Sequence, residues 1–143
     1  METTPEAHVR RVKSRLERGH SVLSHLGNIT TYDIENVDPD PEQTILPPPL
    51  PNDRFYLATD ERDPDALRVF GEAGGVFLNE LLEMEDRRAF GWQLMLTDVR
   101  ALVDQALLAH SAYFYGSSMS SFAGRVANLR AVRGADRRTA LLD

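Results

Sequence analysis

The chain has 143 residues, about one domain's length, with 42% hydrophobic and 27% charged residues, which excludes a wholly disordered or collagen-like polymer. Its 16 Lys+Arg against 22 Asp+Glu leave a formal charge of −6, the wrong sign for a generally basic nucleic-acid binder, so no nucleic-acid partner is expected. Cysteine is absent, which excludes disulfides and thiolate metal sites; with no apolar h-region after Met1 and no apolar run of about 20 residues, neither a signal peptide nor a membrane segment is expected, and the compartment is left open.

Thr4 as N-cap, Pro5 at the first helical position and Glu6 at the positive end of the dipole predict a leading helix. It carries Val9, Val12 and Leu16 at helical spacing and is expected to stop at Gly19, giving a first unit over 1–19. Its cations Arg10, Arg11, Lys13, Arg15 and Arg18, against Glu17 alone, read as a solvated face. Residues 20–53 lose all periodicity and end near Leu46-Pro47-Pro48-Pro49-Leu50-Pro51, which predicts an extended, solvated insertion or linker. Ten acids fall within 33–65, and the end of the chain turns basic again at Arg125, Arg130, Arg133, Arg137 and Arg138.

From Arg54 the pattern becomes orderly, and 54–143 reads as one folded unit. Phe55-Tyr56-Leu57-Ala58 is a short strand that runs out into Thr59-Asp60-Glu61-Arg62. Asp63-Pro64 caps a helix bearing Leu67 and Phe70, closed by Gly74-Gly75; Val76-Phe77-Leu78 is a brief second strand. Residues 80–95, with the single Trp92, are ambiguous. Thr97 is expected to cap a helix through His110 whose inward face is Val99, Leu102, Val103, Ala106 and Leu107. Ala112-Tyr113-Phe114-Tyr115 is a third strand, 116–119 a turn, and Ser120 starts a helix with Phe122, Val126 and Leu129 inward, ended by Gly134. The alternation predicts an α/β fold with a Rossmann-like three-layer parallel sheet. Right-handed crossovers place every strand's C-terminal end on one edge, where ligands bind, and Thr59-Asp60-Glu61 and residues 116–121 both fall there.

At that edge Gly116-Ser117-Ser118-Met119-Ser120-Ser121 leads into a helix N-terminus, whose free N–H groups and dipole suit an anion; the Ser120 and Ser121 hydroxyls and Arg125 add to a phosphate cradle. The same residues also read as an ordinary serine N-cap. Asp60 suits a ribose hydroxyl or a base N–H edge, and equally a turn cap. Asp104 stands in a helix interior, where Asp is a poor residue and usually faces solvent. The spacings of a P-loop, GxGxxG, HExxH and GxSxG are all missing. His8, His20, His25 and His110 form no metal-ligand pattern, and His110 suits a helix C-terminus.

Three pieces in order, Tyr56-Leu57-Ala58-Thr59-Asp60-Glu61, Val103-Asp104-Gln105-Ala106-Leu107-Leu108-Ala109-His110-Ser111, and 114–122 continuing into Gly124-Arg125-Val126-Ala127, resemble the GDP-fucose protein O-fucosyltransferase family across residues 54–134. The resemblance implies a GT-B arrangement of two Rossmann-like halves, with this chain the C-terminal, donor-binding half. It implies GDP-fucose as donor, a protein or glycan hydroxyl as acceptor, inverting transfer, and no metal or other cofactor. Thr59, Asp60 and Asp104 would then lie on the nucleotide side, with Ser120, Ser121 and Phe122 along the pyrophosphate.

The family's His-x-Arg motif, often extended to His-x-Arg-Arg-Gly-Asp, is met here only by His8-Val9-Arg10-Arg11, followed by Val12-Lys13. That stretch lies inside the leading helix rather than at a strand end, so Arg10 is a weak candidate for the catalytic arginine and the acceptor-binding half is expected to be missing. Two functions follow: a donor-binding half inactive by itself, or a non-catalytic nucleotide-binding or protein-interaction module.

Overall fold

The computed structural model describes residues 4–27 and 46–142; the middle of the expected acidic insertion, 28–45, lies outside them. Helix α1 spans Pro5–Gly27, and the Thr4 hydroxyl accepts the Ala7 N–H at 3.3 Å as the N-cap expectation requires. Gly19 does not end the helix. It is buried against the ring of Tyr115, where an added Cβ would come within 2.6 Å of the ring. Its small size serves a close approach between Leu16 and Leu23, the buried residues on the same face. The leading helix therefore extends past 19, and 20–53 is not irregular from its start.

The proline segment is docked rather than fully solvated. The His20 Nδ1 donates to the Pro49 carbonyl at 3.0 Å, the Tyr113 hydroxyl donates to the Leu46 carbonyl, and Pro48, Pro49 and Pro51 are half-buried. A run without backbone donors at its prolines is held here through its carbonyls.

Strand β1, Phe55–Tyr56, pairs in parallel with β2, Gly75–Val76. Helix α2, Pro64–Glu72, connects them; Asp63 caps it by accepting the Asp65 N–H at 3.1 Å, and Gly74 turns the chain at φ 102°. Residues 80–95, ambiguous by pattern, resolve into α3 (Leu78–Leu81), α4 (Met84–Phe90) and a 3₁₀ turn, Gly91–Met95. Helix α5, Thr97–His110, leads to β3, Phe114–Gly116. Helix α6, Ser121–Val132, follows; Gly134 (φ 72°) turns the chain, and a 3₁₀ turn, Arg137–Thr139, leads into β4, Ala140–Leu142, parallel to β3.

Four expectations are corrected. The strands are shorter or shifted, at 55–56, 75–76 and 114–116, and β4 is an additional one. They form two separate two-stranded ladders, β1–β2 and β3–β4, rather than one sheet. Thr97 is the first residue of α5, whose cap position is Leu96 and has no side-chain cap. Finally, α5 buries Gln105 and Ala109, while Leu102 is 56% exposed; Leu129 on α6 is also exposed. On α5 it is Leu108 that packs against the buried Ala123 and Val126 of α6, and Leu102 and Leu129 fall to the flanks of the helix pair.

The core is Phe114, Ala123 and Val126, with Leu108, Phe122 and Ala140 packed around them. Side chains alternate across a strand, so Phe114 faces α6 while Tyr115 faces α1. Short parallel strands thus lie between helices on both sides. Among the described residues no helix is long and apolar enough to cross a membrane.

Candidate functional site

A cleft of about 960 Å³ opens where β1, β2 and β3 all end. The segment after β1 (57–62), the start of α3 after β2, Ser120 and Phe122 after β3, and the first turns of α5 line it. Among the residues expected at the site, Thr59, Asp60, Asp104, Ser120 and Phe122 share this lining. Ser121 and Arg125 are exposed and stand outside it, as does Arg10, an exposed residue of α1.

Four carboxylates line the cleft, and their hydrogen bonds separate them. The Glu61 carboxylate accepts the backbone N–H groups of Arg62 (2.8 Å) and Asp63 (2.9 Å); the Asp63 and Arg62 N–H groups hold its carboxyl below its usual range. Glu80 is engaged by the Phe77 N–H at 3.1 Å and by Arg54 at 3.7 Å. Both serve turns. Asp104 is half-buried on α5 rather than solvent-facing, and accepts from the Tyr56 hydroxyl through Oδ1, leaving Oδ2 as an acceptor for a ligand. Burial, then the hydrogen bond to Asp104 and its charge, push the Tyr56 phenol up, with Arg100 opposing weakly. Tyr56 is therefore a neutral donor at physiological pH. Asp60 is exposed on the wall, and its carboxylate is not committed to a turn or an ion pair.

Ser120 is the N-cap of α6: its hydroxyl oxygen accepts the Ala123 N–H at 3.3 Å, and its own N–H goes to the Ser117 carbonyl at 3.0 Å. The capping reading is thus realised. What remains for an anion is the Ser120 hydroxyl hydrogen and the first-turn N–H groups of Ser121 and Phe122.

The positive charge in the cleft comes from Arg62 and Arg100. Arg100 is half-buried and donates through Nη2 to the Asn79 carboxamide at 3.3 Å, which leaves most of its five donors for other partners. Pattern reading missed Arg100, Asn79 and Tyr56. A signal for Arg100 was present, since it lies one helical turn before Asp104 and so shares its face. Among the described residues no three His, Asp or Glu side chains converge as a metal set. The arrangement offers the Asp60 carboxylate, the second oxygen of Asp104, the guanidinium groups of Arg62 and Arg100 and a helix N-terminus around one open space. That is the equipment for a ligand with both hydrogen-bond donors and negative charge.

Compared with known proteins, the chain matches no family model, no curated protein and no solved structure.

Proposed function

We propose that the cleft binds a nucleoside diphosphate sugar and that the chain is the donor-binding, Rossmann-like half of a GT-B-type fucosyltransferase-like protein. The observation that carries this reading is the meeting of Asp60, Asp104 with Tyr56, Arg100 and Ser120 around one cleft at the strand C-terminal ends. Asp60 and Asp104 accept from a base edge or ribose hydroxyl. Arg100, the Ser120 hydroxyl and the start of α6 take the diphosphate. In the full reaction an acceptor hydroxyl oxygen of a protein or glycan forms a bond to the anomeric carbon of GDP-fucose with inversion. The bond to the β-phosphate oxygen breaks, GDP leaves with the electron pair, and the hydroxyl proton is lost to a base. This reading calls on no metal or other cofactor, and charge stabilisation at the leaving phosphate is the main catalytic demand.

The position of Arg10 outside the cleft favours binding without turnover, which keeps the second reading, a non-catalytic nucleotide-binding module, beside the first. Calorimetry with GDP, GMP and guanosine tests the site. GDP is expected to bind more tightly than guanosine, and Asp104→Asn to weaken GDP by about tenfold, or ~1.4 kcal/mol. No heat and no competition with any of the three would remove the nucleotide reading. A donor-hydrolysis assay with GDP-fucose is expected to show no turnover; measurable release of fucose would establish that the chain is catalytic by itself.

A further inference from the structure

Residues 79–98 run from α3 through α4 and the 3₁₀ turn into α5, and none of them is buried; only Leu82 and Leu94 are half-buried. Yet Leu81, Met84, Phe90, Trp92, Met95 and Leu96 fall within this stretch, exposed between 39% (Phe90) and 85% (Met95). Together they present on the order of 700 Å², above the roughly 300–600 Å² of the largest apolar patch on an ordinary monomer. That is close to the roughly 800 Å² each partner gives to a standard interface. α4 has seven residues, far fewer than the roughly 12–15 that make an isolated helix even marginal. It packs on the 3₁₀ turn, and that turn on α5, so the exposed groups stand on one connected arm that calls for a covering surface.

The charges on the arm decide what kind of surface fits. α4 is acidic in its first turn, at Glu85 and Asp86, and basic in its last, at Arg87 and Arg88. Asp86 is engaged by the Glu83 N–H (3.0 Å) and Arg87 by the Asn79 carbonyl (2.7 Å), which leaves the exposed Glu85 and Arg88 to meet a partner. The apolar groups follow the same polarity, with Met84 beside Glu85 at the start and Phe90 and Trp92 beyond Arg88 at the end. Such a helix is complementary to itself run backwards. Two copies related by a two-fold axis, with their α4 helices antiparallel, set Glu85 of each opposite Arg88 of the other. The same operation brings Met84 of each to the Phe90–Trp92 end of the other, a sulfur–aromatic contact. A partner surface of one charge sign would leave a like charge opposed to it.

We propose that the α4 arm is a two-fold interface through which this chain pairs with a second copy of itself, anchored by Trp92 and oriented by Glu85 and Arg88. Tryptophan is the residue type most often found as such an anchor, and the methionines adapt their shape around it. Part of the interaction goes into holding α4 in place, so the association is reversible rather than obligate. In the dilute monomer α4 and the 3₁₀ turn remain the least protected backbone, and they gain protection in the dimer. Met95 also lines the candidate cleft, so the second copy comes to the rim of the site. The proposal is independent of which ligand the cleft takes.

Sedimentation velocity and the emission of Trp92, the chain's single tryptophan, test the pairing from about 1 to 300 μM. The sedimentation coefficient is expected to rise from monomer to dimer and no further, with the emission shifting to the blue over the same range. Glu85→Arg and Arg88→Glu each set like charges opposite one another at both ends of the pair, and each alone is expected to weaken self-association at least about tenfold. Mixed in equal amounts, the two variants face each other with opposite charges only, and the dimer is expected to return, which also shows that both are folded. A chain that stays monomeric at every concentration overturns the proposal, as does growth beyond the dimer. So do charge variants that dimerise as the parent does, a mixture that fails to pair while each variant keeps the parent's helical circular dichroism, or an undiminished dimer in Trp92→Ala.

Discussion

Tyr115 stacks its ring on Gly19 while its hydroxyl is buried with no hydrogen-bond partner among the described residues. Burial, with a smaller push from Tyr113, raises the phenol to about 12. The ring contributes packing and the oxygen contributes a desolvation cost, so the two parts of the side chain act in opposite directions. Tyr115→Phe keeps the ring and is expected to leave stability unchanged or raise it by about 1 kcal/mol, read from urea denaturation. The pH dependence has a definite sign. A phenol raised above its unfolded value of about 10 favours the fold fully below that pH, and the contribution is lost as pH rises toward the folded value. The urea midpoint of the parent chain is therefore expected to fall above about pH 10, with Tyr56 acting in the same direction, and to fall less steeply in Tyr115→Phe. An identical slope in the two proteins would show that Tyr115 is not desolvated.

Arg130 joins several elements at once. Its Nη1 donates to the carbonyls of Leu108 (3.1 Å) and Ser111 (2.6 Å), and its Nη2 to the Ala112 carbonyl (3.2 Å) and the Thr139 hydroxyl (2.7 Å). Helix α6 is thereby fastened to the end of α5, the approach to β3 and the approach to β4. Burial lowers its pKa, yet a guanidinium remains charged throughout the working pH range. Arg130→Met preserves most of the stem and strips the donors, with an expected loss of about 3 kcal/mol in denaturant titrations. Arg130→Lys should recover little, because one ammonium cannot span that fork of acceptors. A loss below about 0.5 kcal/mol for Arg130→Met would show that water replaces the guanidinium. This network also explains what pattern reading could and could not see. The caps at Thr4, Asp63 and Ser120 and the turns at Gly74 and Gly134 are local chemistry and were legible from neighbouring residues. Strand β4 was not, because Ala140-Leu141-Leu142 becomes a strand only through β3 and the Arg130–Thr139 anchor. The course of α1 through Gly19 depends on Tyr115, far along the chain, so no local signal carried it. At the site, the strand-end rule found Asp60 and Ser120, whereas the Tyr56–Asp104 bond needs the packing of α5 against β1.

Burial is uneven across the whole molecule. α4 and the 3₁₀ turn after it bury no residue, and Met84, Trp92 and Met95 stand 65%, 71% and 85% exposed. The core instead gathers where β3 meets α6. Native-state hydrogen exchange is expected to find α4 and residues 91–95 opening first, with free energies well below those of α6 and β3, which should approach the global value. Uniform protection across both regions would refute this ranking. The two parallel ladders have a kinetic consequence. Residues 55–76 and 114–142 each close a strand–helix–strand unit within a short stretch of chain, so every interstrand hydrogen bond joins residues of modest sequence separation. Contacts of that kind form early, because little loop entropy is lost before they are rewarded. What remains for the late part of folding is the docking of these two units onto the helices outside them, with Tyr56 on Asp104 of α5 and Tyr115 on Gly19 of α1. The slow event in this chain is then the meeting of the two units through α1 and α5, with each unit offering one tyrosine to the helix it joins.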